Sequence, residues 1–275
     1  MRGDLKETEE TGDNNMNAVR FERDGDLGAI VLCSPPNWLT RQFSDDLAEA
    51  VRQAAERDVR ALLIRAEGKD FSVGGAVQEW PDKDQRWFRT FVGEVNTSYR
   101  TIEGLPVPVV AAVRGNAMGG GFELVLSADL IIASQTAVFT CIEATSGMVP
   151  PAGAVQRIAA AAGPYHAARI AMLMPPVTAA EAAALNLVAE VVPDEELDKT
   201  AADLARRLAA GPTRGYAAIK SLVKAHGGGV AVADTLMADL TMGLYETADA
   251  RNAIPELATA IAAGNLPPDI KWLGR

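Results

Sequence analysis

RGNAMGGGFELVLSADL, residues 114–130, joins a predicted strand to a predicted helix through three consecutive glycines. Before it, Pro106 to Val113 (PVPVVAAV) is rich in β-branched residues with no polar interruption, which predicts a buried strand. After it, Phe122 to Leu126 begins a helix. Glycine lets a backbone approach a ligand closely, and the first N–H groups of a helix lack internal partners and carry a partial positive charge. The joint can therefore hold an anion, or an oxygen that becomes one. It can equally be a turn that only closes a strand–helix connection, and these residues alone leave both readings open. A dinucleotide site fits less well: the spacing is GGG rather than GxGxxG, and no acidic residue follows a second strand at the usual distance.

A second glycine loop, Phe71 to Ala76 (FSVGGA), follows another predicted buried strand, Val59 to Ala66 (VRALLIRA). Two such loops at neighbouring strand ends can offer two backbone N–H donors to one oxygen, an arrangement worth roughly 10²–10³ in rate per donor. Two carboxylates lie close by in sequence. Glu123 sits in the first helical turn after the glycines, where a glutamate also serves the helix dipole. Glu143 sits between Ile142 and Ala144 after the apolar AVFTC segment. Burial there would raise its pKa and suit it to acid or base work.

Further out, Val19 to Leu32 alternates around a glycine turn and predicts a hairpin. Thr40 or Ser44 can cap a helix with Leu47, Val51 and Ala54 on one face. A polar, aromatic-containing helix is predicted over about Asp84 to Glu103, and short strands over Asp129 to Ala133 and Ala137 to Thr140. Strand and helix in alternation indicate crossover units and a largely parallel sheet. From Pro164 the chain turns alanine-rich. Helices are predicted at about Tyr165–Leu173, Ala179–Ala184, Glu195–Ala210, Thr213–Ala225 and Val232–Leu244, with one strand within Leu187 to Val192. The domain reading is a disordered acidic tail over 1–17, a sheet core over 18–193 and a helical region over 194–275.

Composition narrows the partners. The 275 residues carry a net charge of −10. Nothing evident would neutralise phosphates, which speaks against nucleic acid and against an anionic membrane surface. No run of about 18 apolar residues predicts a membrane span. Cys33 and Cys141 show no metal spacing and form no disulfide framework, so a reducing cytoplasm is the simplest location. His166 and His226 are too few for a histidine-based metal site and read as surface residues. Cys141 reads as a small buried hydrophobe.

Taken together, the blocks resemble the crotonase (enoyl-CoA hydratase/isomerase) superfamily over about Val19 to Asn252. Asn37-Trp38-Leu39-Thr40 is similar to the family's N-A-L-[ST] signature, and Phe71 to Ala76 to its F-x-x-G-[AG]-D loop. Gly115 to Leu124 matches G-x-[AC]-x-G-G-G-x-[EQ]-[LI]. Phe139 to Ile158 (FTCIEATSGMVPPAGAVQRI) matches, without a gap, the block F-x-x-P-E-x-x-x-G-x-x-P-x-x-G-[GA]-x-Q-[RK]-L. Ala179 to Pro193 matches A-x-E-A-x-x-x-G-L-V-x-x-V-V-P. Three departures stand out: Ala76 replaces Asp, Ile142 replaces Pro, and Glu256 to Gly264 lacks the Phe and the Lys/Arg residues usual in the last helix.

The resemblance implies an α/β fold, a ClpP-like spiral of βαβ units followed by helices that mediate trimerisation, as a trimer or a dimer of trimers. It implies an oxyanion hole from the N–H groups of Gly75 and Gly120, and a catalytic pair of Glu123 and Glu143. Substrate contacts are implied at Trp38, Leu39, Gly74, Ala76, Gly119, Gly121, Pro150 and Gly153. Trp38, Trp80 and Trp87 either line the acyl pocket near the loops or serve only as packing. The implied reaction is reversible addition of water to a 2-enoyl-CoA, because the hydratases keep both glutamates. No metal or redox cofactor is implied; coenzyme A arrives as part of the substrate. An isomerase, hydrolase or decarboxylase working through the same enolate is the alternative, and a non-catalytic oligomeric scaffold is a third reading.

Overall fold

The computed structural model describes residues 17–56, 58–265 and 269–274; the expected tail lies outside the described residues except for Asn17. The predicted hairpin is β1 (Val19–Asp24) and β2 (Leu27–Leu32), paired antiparallel. From β2 the chain winds as a spiral in which a long strand is followed by a short one and, in most turns, a helix. The first turn continues with β3 (Trp38–Leu39), α1 (Arg41–Glu56) and β4 (Ala61–Ala66). The next adds β5 (Gly74–Gly75), α2 (Gln85–Gly104) and β6 (Val109–Val113). Then come β7 (Asn116–Met118), α3 (Gly120–Val125), β8 (Leu130–Ser134) and β9 (Val138–Thr140).

The long strands form a sheet in the order β1-β2-β4-β6-β8-β11, parallel from β2 onward, closed by β11 (Glu190–Val192). The short strands make a second layer. β3 pairs with β5, Ser72 bridges to Ala117, β7 pairs with β9, and β9 pairs with β10 (Val177–Thr178). Between β9 and β11 lie α4 (Ala154–Ala162), α5 (Pro164–Leu173) and α6 (Ala179–Ala184). The chain then runs through α7 (Leu197–Ala209), α8 (Thr213–His226), α9 (Val230–Tyr245) and α10 (Ala248–Ala262).

A parallel sheet covered on both faces needs apolar residues at every position of its inner strands, and the sequence of β4 and β6 supplies them. Leu62, Ile64, Val109, Ala111 and Val113 face the main core with Phe43, Phe71, Tyr99 and Phe122. The alternate residues Ala61, Leu63, Val110 and Ala112 pack under Leu197, Ala201, Ala205 and Ala209 of α7. Small alanines at four-residue spacing let α7 lie close to the sheet. This helix follows the domain boundary expected at residue 193, yet it forms the second cover of the sheet. α8 and α9 pack on one another beyond it.

Helix starts follow local chemistry. The hydroxyl of Thr40 accepts from the Phe43 N–H at 3.1 Å, and Asp84 accepts from the Trp87 N–H at 2.7 Å. β7 falls inside the predicted glycine loop, because three residues between glycines carry no strand pattern by themselves. α10 contains Pro255, which removes a helical N–H and masks the helix in the sequence.

Asn37 ties the first turn of the spiral to the second. It is fully buried, and its amide donates to the carbonyls of Glu67, Asp70 and Phe71 at 3.0–3.3 Å while its Oδ1 accepts from the Ser34 N–H. Its φ of +61° suits asparagine better than alanine. Asn37→Ala is therefore expected to cost roughly 3 kcal/mol, by leaving buried carbonyls unpartnered; a urea midpoint unchanged from the parent would refute this.

Candidate active site

The two glycine loops meet because their backbones pair. The Phe71 N–H donates to Arg114 O, the Ser72 N–H to Asn116 O, and the Met118 N–H to Ser72 O. Asp70 reinforces the join by accepting from both the backbone and side-chain N–H of Asn116, at 2.9 and 2.7 Å. A Cβ on Gly74, whose φ is +85°, would lie 2.8 Å from the Met118 carbonyl oxygen. Only glycine permits both that conformation and that approach. Gly119 turns the chain from β7 into α3 at φ +50°, and a Cβ there would meet Glu143 Oε1 at 3.1 Å. Gly120 is the first residue of α3, so no carbonyl one helical turn earlier takes its N–H. The Tyr99 hydroxyl, fully buried, donates to the Gly120 carbonyl at 2.7 Å.

A cleft opens over this junction. Leu39, Gly75, Gly119, Gly120, Glu123 and Glu143 line it, so the oxyanion candidates and both carboxylates share one space. Trp80, Phe88, Phe91, Val92 and Val95 form its apolar wall, and Ile142, Met148, Pro151 and Ala152 also line it.

The other expected contacts lie elsewhere. Trp38 alternates with Leu39 on β3 and is exposed. Gly74 is occupied with the Met118 carbonyl and Gly121 packs against Ser72. Ala76 is fully buried, its N–H bonded to Leu39 O. Pro150 is buried and does not line the cleft, and Gly153 caps α4 beside Arg157. Trp87 stacks on Phe91 rather than lining the cleft. Trp80 does line the cleft, whereas Phe88, Phe91, Val92 and Val95 were not singled out in the sequence, although they recur at the i, i+3, i+4, i+7 spacing of one helix face.

Glu123 is 1% exposed. Its Oε1 accepts from the N–H groups of Ala152 and Ala154 at 2.7 and 3.1 Å, while its Oε2 is buried with no partner. Burial pushes its carboxyl up to about 7; the Ala154 N–H opposes this, the charge of Glu143 adds to it, and the Ala152 N–H and the Arg157 cation oppose it. Burial also raises the Glu143 carboxyl, against backbone N–H bonds. One of those is the Ile142 N–H, 2.9 Å from Glu143 Oε2, a donor that proline at this position would lack. Burial and the two carboxylates push the Cys141 thiol up to about 12, so it stays protonated and inert near neutral pH. Among the described residues no group of three or more His, Cys, Asp or Glu side chains is arranged to hold a metal ion, and no helix is long and apolar enough to cross a membrane.

A spiral α/β fold with two glycine loops, one buried carboxylate and one half-buried carboxylate at one cleft defines a class of protein, and comparison with known proteins gives the family. Residues 22–253 match the family model described as enoyl-CoA hydratase/isomerase. A Rhodobacter capsulatus protein named "Probable enoyl-CoA hydratase" is 30% identical over 204 residues, 74% of this chain and 79% of that protein. A Dictyostelium discoideum protein named "Probable enoyl-CoA hydratase, mitochondrial" is 31% identical over 196 residues, 68% of each. The solved enoyl-CoA hydratase of Thermoplasma volcanium GSS1 superposes with a TM-score of 0.82 at 30% identity, covering 88% of this chain and 98% of that one. The chain belongs to the enoyl-CoA hydratase/isomerase family, the crotonase superfamily.

The raised carboxyl of Glu123 carries a stability consequence. Between pH 4.5 and about 7 the unfolded chain ionises this group while the folded chain keeps it protonated. Folding is therefore progressively penalised as pH rises through that window. Glu123→Gln is expected to be more stable than the parent at pH 8, by roughly 3 kcal/mol at most, and equal to it near pH 4. Denaturant titrations at the two pH values measure the difference; equal gaps at both would contradict the assignment.

Proposed function

We propose that the protein is an enoyl-CoA hydratase, adding water reversibly to a 2-enoyl-CoA to give a 3-hydroxyacyl-CoA. The single observation that carries this reading is the carboxylate pair. Glu123 presents one free oxygen and Glu143 lies beside Gly119, in a cleft that also holds the backbone of Gly75 and Gly120. In this mechanism the thioester carbonyl accepts from the N–H groups of Gly75 and Gly120, which stabilise the negative charge that develops as water adds at the β-carbon. Glu123 takes the proton from water, and Glu143 gives a proton to the α-carbon. Two carboxylates around one water titrate as a pair, and a pKa near neutrality suits a group that must both take and return a proton.

The cleft wall narrows the acyl group. Among the described residues no Lys, Arg or His lines it, and its polar side chains besides the two glutamates are Thr145 and Ser146. An acyl group with its own carboxylate would meet two acids and no cation there, so the reading takes an uncharged hydrocarbon chain. Coenzyme A enters as part of the substrate and no further cofactor takes part. The unpaired cysteines Cys33 and Cys141 suit a reducing location such as the cytoplasm.

The reading extends to assembly as a trimer or a dimer of trimers. α9 has no buried residue, yet it carries exposed Val230, Val232, Met237, Met242 and Tyr245. An apolar helix left open to water favours a protein partner, and light scattering should find three or six chains rather than one.

Glu123→Gln and Glu143→Gln should each lower kcat for hydration of crotonyl-CoA by about 10²–10⁴, while acyl-CoA still raises the melting temperature. Loss of enoyl-thioester absorbance follows the reaction. Isomerisation of a 3-enoyl-CoA that survives in Glu123→Gln and is lost in Glu143→Gln, with no hydration by the parent, would assign a one-base isomerase instead.

A further inference from the structure

Glu123 is held from behind by a turn, and that turn is held by a buried ion pair outside the cleft. The carboxylate leans on the N–H groups of Ala152 and Ala154, in the connection that enters α4. Arg157, one turn into α4, folds back over this connection. Its Nη1 donates to the Ala152 carbonyl at 2.5 Å, and its Nε donates to Glu103 Oε1 at 2.5 Å. A Cβ on Gly153 would lie 2.5 Å from the same Nη1, so the guanidinium fills the space over the turn. Both partners are largely buried, with side-chain exposures of 18% for Arg157 and 26% for Glu103. Glu103 belongs to the last turn of α2, the helix whose Phe88, Phe91, Val92 and Val95 form the apolar wall.

We propose that Arg157, anchored by Glu103, is the positioning residue of Glu123: it fixes the Ala152–Ala154 turn so that Oε1 is pinned and Oε2 alone is left to meet the reacting water. Arg157 does not line the cleft, so it touches no substrate and acts only through the turn. A guanidinium suits this task because its planar fork meets a carboxylate and a carbonyl at once, whereas an ammonium is a point charge. The pair also registers α2 against the turn, so the acyl wall and the base stand in a fixed relation. The acids Glu143, Cys141 and Tyr99 share the surroundings of Glu123, and Arg157 is the cation whose field favours its ionised form.

The proposal rests on the reading of Glu123 as the group that takes the proton from water. Its test therefore follows the carboxyl and the turnover separately. The variant is the double substitution Glu103→Gln with Arg157→Met, which leaves no unpaired buried charge; Arg157→Lys serves as the second variant if the first is too unstable. Carboxyl ¹³C NMR of glutamate-labelled protein, assigned with Glu123→Gln, reads the ionisation of Glu123 without substrate. Without the cation and the fixed turn, Glu123 should titrate at higher pH. The acid limb of kcat/KM should move up with it, because the base must be ionised to act. kcat should fall by up to about 100-fold, the loss a displacement near 1 Å produces, with KM retained. A lowered melting temperature with an unchanged Glu123 titration and an unchanged pH profile would overturn the proposal and leave Arg157 a stabilising ion pair. A shifted titration with undiminished turnover would support the positioning role and defeat the catalytic reading of Glu123 instead.

Discussion

The site depends on how closely two stretches of backbone approach. The Met118 carbonyl stands where any residue other than glycine at position 74 would place its Cβ. Ladder bonds from Phe71 and Ser72 to the β7 segment, with the Asp70 clamp on Asn116, hold the loops at that spacing. The same contact brings the ends of two consecutive spiral turns to one point, so that donors 45 residues apart in the chain, Gly75 and Gly120, line one cleft. The rest of the fold supports this: a parallel sheet with both faces covered fixes the turns, and the short-strand layer aims their ends at the cleft.

Against that rigid junction stands an electrostatic cost. A carboxyl that is 1% exposed would rather be neutral, and Glu123 is not solvated by a partner on its second oxygen. Two backbone N–H groups, with the field of Arg157 behind them, recover part of the lost hydration. The balance leaves the group near neutrality, between an ordinary carboxylate and a permanently protonated acid. That poise is costly to the fold and useful to proton transfer. Apolar walls from α2 sustain it by keeping the dielectric low around both glutamates.

Some elements were legible because their information is local. The β1–β2 hairpin alternates, Asp84 announces α2, and β4 and β6 are unbroken apolar runs of strand length. The motif glycines and both glutamates could be placed from their blocks. Other elements were not legible. β3, β5, β7 and β10 are two or three residues long and exist only through their partners. α10 hides behind Pro255. The inward choice of Leu39 over Trp38, and of Pro151 over Pro150, is a matter of which side of a strand or turn faces the cleft, and neighbouring residues of like chemistry give no sign of it.

The sequence by itself determined the family of the fold, the two glycine loops, the carboxylates and the apolar positions of the sheet, because backbone permissiveness, side-chain chemistry and period-two burial are properties of short segments. Only the tertiary structure decided what those residues meet. It set Glu143 beside Gly119, gave Glu123 two amides for one oxygen and none for the other, let Ile142 lend its N–H to Glu143, and placed Arg157 against Glu103 behind the turn. Apart from the bond between the neighbours Ile142 and Glu143, these are contacts across tens of residues, and the energies of all of them depend on distance and burial, which no single segment of the chain carries.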